Sequence, residues 1–75
     1  MKFYYQNKME ITLNNNIETF EAETLSITEL LKVKNFTFRM LVIKVNEVLV
    51  KRDAYDSVFV KNGDNVSVIH LISGG

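Results

Sequence analysis

The sequence contains no cysteine, no proline and only three glycines among its 75 residues. Without cysteine the chain has no disulfide framework, no thiolate nucleophile and no cysteine-ligated metal. The formal net charge is zero, which removes the electrostatic basis for non-specific nucleic-acid binding. No apolar run is long enough for a membrane span, and Met1–Lys8 lacks the apolar core of a signal peptide. We therefore expect a cytoplasmic protein that binds neither nucleic acid nor membrane.

The length and composition predict one small globular domain over residues 1–75. Hydrophobic residues make up 47% of the chain and charged residues 24%, which is too apolar for a disordered segment. A chain of this size buries only about 60% of its unfolded surface, so its core is modest.

The first part of the sequence predicts a β-hairpin. Apolar and polar residues alternate across Met9–Leu13, as in a half-buried strand, and the same parity continues back to about Lys2. Three consecutive asparagines, Asn14–Asn16, suit a turn because asparagine tolerates the left-handed backbone conformation. A second strand is predicted from Ile17 to Ala22.

A helix follows the hairpin. Ser26 and Glu29 have the spacing of a capping box and precede the apolar pair Leu30-Leu31. The apolar positions around them share one helical face, so we predict a helix from about Ile27 to Asn35.

The rest of the chain reads as strands separated by turns. These are strands at Met40–Val45, Val48–Val50, Val58–Val60 and Val66–Ile72, turns at Asn46-Glu47 and Asn62–Asp64, and a loop or short 3₁₀ turn at Asp53–Ser57. One helix covers only one face of a sheet, so the fold class is α+β with the helix packed across one face. Which strands pair is not readable from periodicity.

Two of the three glycines, Gly74 and Gly75, stand at the end of the sequence, a coincidence expected about once in 200 chains at average glycine usage. Glycine lacks Cβ and allows the backbone to pass close to another surface. A terminal carboxylate has a pKa of about 3.3–3.7 and is ionised at neutral pH. The pair therefore predicts a reactive carboxylate on a thin tail, and chemistry that is done on this protein rather than by it.

Several short elements precede this ending in a fixed order: Thr28–Leu31, Ile43–Asn46, Val48–Val50, Arg52, Asn62–Val66 and Leu71–Gly75. In this order they resemble the bacterial sulfur carriers of thiamine biosynthesis, the ThiS family, over Met9–Gly75. Two departures stand out. Lys51 occupies a position where that family often has proline, and residues 1–8 form an N-terminal extension of unknown role.

The resemblance implies a ubiquitin-like β-grasp fold, with a mixed sheet of four to five strands whose first and last strands pair in parallel at the centre. It also implies that an E1-like adenylyltransferase uses ATP and Mg²⁺ to adenylate Gly75. Sulfur from a persulfide enzyme then replaces AMP, and the resulting thiocarboxylate donates sulfur to thiazole synthase. The chain itself is then a protein co-substrate without a bound cofactor or metal, and not an enzyme.

The same resemblance assigns roles to the residues at the end of the chain. Gly75 carries the reacting carboxylate, while Ser73 and Gly74 give it access to a partner's channel. Leu71, Ile72 and Arg52 are expected to bind partners, and residues 73–75 to form a flexible tail on a chain that is monomeric when free.

Two other functions stay open. The small subunit of molybdopterin synthase shares the fold and the glycine pair, but it commonly has prolines shortly before that pair, and this chain has none. A ubiquitin-like interaction module without tail chemistry is the second alternative.

Other residues suggest weaker sites. His70 with Ser73 lacks the third group and oxyanion site of a hydrolase, so a structural histidine at a strand end is expected. Asp53 and Asp56 lack the pattern of a calcium loop, so we expect no metal there. Five glutamates without a lysine or arginine lie between Met9 and Leu31, as solvated faces or as an acidic docking edge.

Overall fold

The computed structural model describes residues 8–37 and 39–72. Along these ranges lie seven strands, one α-helix and one 3₁₀ turn: β1 Met9–Leu13, β2 Asn16–Phe20, β3 Thr24–Ser26, α1 Ile27–Val33, β4 Leu41–Val45, β5 Val48–Val50, the 3₁₀ turn Arg52–Ala54, β6 Phe59–Lys61 and β7 Asn65–His70.

Five strands form the main sheet in the order β2-β1-β7-β4-β5. β1 and β7 pair in parallel at its centre, while the β1–β2, β4–β5 and β4–β7 pairs are antiparallel. This confirms the predicted α+β class and the ubiquitin-like β-grasp arrangement. A second, two-stranded ladder of β3 and β6 was not predicted, because three residues are too few to show a period.

The β1–β2 hairpin follows the predicted alternation. Met9, Ile11 and Leu13 are buried on the helix side of the sheet. Asn14 and Asn15 have φ values of 50° and 69°, as the two central residues of a type I′ turn require. β2 ends at Phe20, two residues before the predicted boundary, and the predicted extension of β1 toward Lys2 lies outside the described residues.

The capping box at the start of α1 is confirmed. Ser26 Oγ accepts a hydrogen bond from the Glu29 amide at 3.0 Å, and Glu29 Oε1 accepts one from the Ser26 amide at 2.8 Å. The helix ends at Val33 rather than at Asn35, because Asn35 adopts φ 58°. The next amide, Phe36, donates back to the Leu31 carbonyl at 2.8 Å, which closes a Schellman motif.

One hydrophobic core lies between α1 and the inner face of the main sheet. Ile27 and Leu30 of the helix have no exposed surface, and the strands contribute every second residue. The buried apolar residues of this core are Met9, Ile11, Leu13, Phe20, Ile27, Leu30, Ile43, Val50, Val60, Val66 and Val68. Within the ranges that the structure describes, the helix covers only this face, and Glu10, Lys44 and Ile69 on the opposite face are exposed; we call this the open face.

The turn before β7 sets the register of the two central strands. Gly63 has φ 88°, and its amide donates to the Glu10 carbonyl at 2.8 Å. The Glu10 amide donates in turn to Oδ1 of Asn62 at 2.8 Å. The predicted turn at Asn62–Asp64 is therefore confirmed, and it fixes β1 beside β7 before their own ladder begins.

Candidate functional site

The last described residues follow directly on the central strand of the main sheet. β7 lies between β1 and β4 and ends at His70, which is paired with Leu41. One further backbone bond continues this ladder, from the Leu71 amide to the Met40 carbonyl at 2.8 Å. Backbone hydrogen bonds to the sheet thus continue up to Leu71. We call this end of the sheet, where His70 and Leu41 lie, the tail end. Ser73, Gly74 and Gly75 lie outside the described residues.

Both apolar residues before the glycines face solvent. Leu71 is 44% exposed and Ile72 is 82% exposed. We expected at least one of them to be exposed, and both are. Burying such side chains contributes to protein association, since roughly 25 cal/mol is gained for each Å² of apolar surface removed from water. Their binding to a partner stays a prediction.

More apolar side chains surround Leu71 on the open face of the sheet. Val42 is paired with Ile69 in the β4–β7 ladder, and both lie on the face opposite the buried Ile43 and Val68. We define the tail-end patch as Met40, Val42, Leu49, Ile69, Leu71 and Ile72; of these, all except the half-buried Val42 are exposed. Contiguous exposed apolar surface is typical of a protein interaction site.

Sequence reasoning found only two members of this patch. The apolar run in Met40–Val45 predicts a strand, and β4 is an interior strand of the main sheet. Such a run also places apolar side chains on both faces of the sheet. The apolar run therefore already indicated that Met40 and Val42 place apolar side chains on the face opposite the core.

Arg52 lies at the tail end, as the first residue of the 3₁₀ turn, and its side chain is exposed. It lines a groove together with Arg39, Lys51 and the apolar Met40 and Leu71. In the described part of the chain the one ion pair joins Lys34 to Glu18, so Arg52 is not held by a carboxylate there. No acidic side chain among these residues gives Arg52 a structural role within the fold.

The weaker candidate sites have structural explanations. His70 is an exposed residue at the end of a strand, as expected. Oδ1 of Asp56 accepts a hydrogen bond from the Thr28 hydroxyl, so this carboxylate connects the loop after the 3₁₀ turn to the start of α1. Within residues 8–37 and 39–72, no group of three or more potential metal ligands is found, and no helix has the length and hydropathy needed to cross a membrane.

Comparisons with known proteins agree with this fold. A family model described as the ThiS family matches residues 4–75. A crystal structure of the thiamine biosynthesis protein ThiS from Geobacter metallireducens superposes with a TM-score of 0.80 at 32% identity, covering 89% of this chain and all of that chain. The uncharacterized protein ycf40 of Trieres chinensis is 21% identical over 61 residues, which are 81% of this chain and 84% of that protein.

Proposed function

The chain belongs to the ThiS family, and from this premise we propose that it carries sulfur as a thiocarboxylate on Gly75 for the formation of thiazole in thiamine biosynthesis. Membership in this family supports the general role of a small sulfur carrier that works with activating and sulfur-transfer enzymes. The tail chemistry is the proposed part, and the position of the tail after the central strand is the observation that carries it.

The proposed reaction begins with the Gly75 carboxylate. One carboxylate oxygen attacks the α-phosphorus of Mg-ATP in an E1-like adenylyltransferase, and pyrophosphate leaves. A persulfide sulfur then attacks the acyl carbon, and AMP leaves. A thiol cleaves the resulting acyl disulfide, which leaves the thiocarboxylate on this chain and a disulfide on the donor side. Thiazole synthase then receives the sulfur.

The place where β7 ends suits this chemistry. The pairing of β7 with two neighbouring strands, and the Leu71–Met40 hydrogen bond, fix the point from which the last residues start. Three residues can extend by about 10 Å at roughly 3.3–3.6 Å each, which is enough to reach into an enclosed active site. Because Gly74 and Gly75 have no side chains, the backbone can pass through a narrow channel.

The tail-end patch supplies the contact surface in this proposal. Ile72 and Leu71 bury against the partner, and Arg52 pairs with an acidic group there. The catalytic groups belong to the partner enzymes, so this chain acts as a co-substrate.

The experiment is intact-mass spectrometry after incubation with the adenylyltransferase, Mg-ATP and a persulfide donor. We expect the mass gain of one oxygen replaced by sulfur, located by fragmentation on Gly75. Removing Gly75, or adding one alanine after it, is expected to abolish this species while the thermal unfolding midpoint stays unchanged. An unmodified chain under conditions that convert a known ThiS protein would overturn the proposal.

The destination of the sulfur needs a second measurement. The isolated thiocarboxylate form is incubated with thiazole synthase and its other substrates, and thiazole is quantified. We expect one thiazole formed for each thiocarboxylate consumed. If the thiocarboxylate forms but no thiazole is produced, thiazole formation is not the destination of the sulfur, and the chain supplies another acceptor.

A further inference from the structure

Cationic and apolar side chains lie together at the tail end, and the exposed Asp53 lines a neighbouring depression beside Lys51. Arg39, Lys51 and Arg52 line one groove, and no aspartate or glutamate is among the described residues that line it. Met40, Leu49 and Leu71 form apolar parts of the same wall. We call this the tail-end groove. Each of the three cations is exposed.

The strand register places a second group of charges at the opposite end of the sheet. β1 runs parallel to β7 with Thr12 beside Asn65, so the start of β1 lies beyond the start of β7 and away from His70. Met9 pairs with Phe20 at that far end, and Glu21 and Glu23 follow directly. Two lysines, Lys8 and Lys61, also belong to the far end, because Lys8 precedes β1 and Lys61 pairs with Thr24.

The uneven distribution matters because the whole chain has zero formal net charge. A neutral protein experiences no overall attraction to an anionic partner, so only local charge can orient it. Arg39, Lys51 and Arg52, which form no ion pair with another described residue, direct the tail end toward a negative surface. The far end carries both positive and negative charges, so it does not attract a negative surface to the same degree.

We propose that the tail-end groove binds a carboxylate-bearing, partly apolar segment of the adenylating enzyme and orients this chain tail-first during association. The inference rests on the proposed function for the identity of the partner. The apolar half of the groove wall and the zero net charge favour a protein segment over the uniform phosphate charge of nucleic acid. The groove therefore governs mainly the rate of association and its salt dependence.

The first test uses the chain alone. It is titrated with a short synthetic peptide of alternating glutamate and leucine, and backbone amide shifts are followed by NMR. We expect saturable shifts at Arg39, Lys51 and Arg52 and none at Lys8 and Lys61. A peptide with lysine in place of glutamate is expected to produce none. Equal shifts at both ends, or none at either, would overturn the inference.

The second test measures association with the adenylating enzyme by stopped flow. The double variant Lys51→Gln/Arg52→Gln removes two charges at the groove, and Lys8→Gln/Lys61→Gln removes two at the far end. Both change the net charge equally. We expect association to slow about tenfold at low salt for the groove variant only, and the difference to shrink at high salt. Equal slowing by both variants means that net charge governs association and contradicts the groove.

The sulfur-carrier proposal and the tail-end groove proposal can be contradicted independently of each other. If the unmodified chain is never thiocarboxylated, the proposed function fails, and the peptide titration still decides whether the groove recognises acidic segments. If thiocarboxylation proceeds but the two double variants associate at the same rate, the sulfur carrier stands and the groove proposal fails.

Discussion

The side-chain amide of Asn46 donates from Nδ2 to Oδ1 of Asp64 at 3.0 Å, which joins the β4–β5 turn to the turn before β7. The same asparagine accepts from the Asn65 amide through Oδ1 at 2.8 Å. Asp64 Oδ2 accepts from the Lys61 amide at 2.9 Å. These bonds hold the start of the central strand, whose other end leads to the tail.

Replacing Asp64 with alanine is expected to destabilise the fold. Asp64 is only 6% exposed, and its loss leaves the Lys61 amide and the Asn46 side chain without their partner. Both hydrogen bonds are partly buried, and a fully buried donor left unsatisfied costs about 1–3 kcal/mol, so we expect a decrease of about 1–2 kcal/mol in the free energy of unfolding, measured in urea. Asp53→Ala removes an exposed carboxylate and serves as the control, with a change within about 0.5 kcal/mol. Equal changes for both variants would contradict the role of the Asp64 hydrogen bonds.

Replacing Glu47 with glycine is expected to stabilise the fold. Asn46 and Glu47 have φ values of 49° and 71°, so the β4–β5 connection is a type I′ turn with glutamate where glycine is preferred. A left-handed conformation costs an ordinary residue about 1–2 kcal/mol, part of which is offset by the greater unfolded-state entropy of glycine. We expect a net gain of about 0.5–1 kcal/mol in urea unfolding. Glu47→Ala removes the same charge but keeps Cβ, and a similar gain for alanine would exclude backbone strain as the cause.

These elements show which parts of the fold were predictable. The Ser26–Glu29 capping box and the Met9–Leu13 alternation are local patterns, and both are confirmed. The short strand Thr24–Ser26 forms only through pairing with a segment more than thirty residues away, which no local pattern contains. The parallel pairing of β1 with β7 likewise came from family resemblance, because a period of two does not identify the partner strand.

For the candidate site too, the sequence indicated individual residues but not which of them lie together. The roles of Leu71, Ile72 and Arg52 came from the family resemblance and stay predictions, and the structure brings Leu71 and Arg52 to the same groove. Met40 and Arg39 join them only because β4 is antiparallel to β7, with Leu41 beside His70. Such neighbours depend on strand register, which the sequence does not state.

Replacing Lys51 with proline, the residue frequent there in the family, is expected to stabilise the fold. Lys51 has φ −77° and ψ 153°, which proline adopts without strain. In the two-residue hairpin, Val45–Val48 and Ile43–Val50 are the hydrogen-bonded pairs, so the next amide on β5 points away from β4. Reduced entropy of the unfolded chain is expected to contribute about 0.4–1 kcal/mol, measured in urea. Lys51→Ala controls for the lost charge, and a loss of stability specific to proline would show that the amide is needed.

Replacing Ile72 with glutamate is expected to impair thiocarboxylation without affecting the fold. Ile72 is 82% exposed, so the folded chain loses little packing, whereas a partner pocket that buries this side chain would have to desolvate a charge. We expect kcat/KM for the adenylating enzyme to fall about tenfold or more, which corresponds to about 1.4 kcal/mol or more. The matched control is Ile17→Glu, because Ile17 is 71% exposed but lies on the edge strand β2, two strands away from the tail strand. It adds the same charge and is expected to leave kcat/KM within twofold of the unmodified chain, on the order of the small effect of a surface change. Thermal unfolding of both variants checks the fold, and an equal loss of kcat/KM in both would mean that added negative charge, rather than contact at Ile72, weakens the reaction.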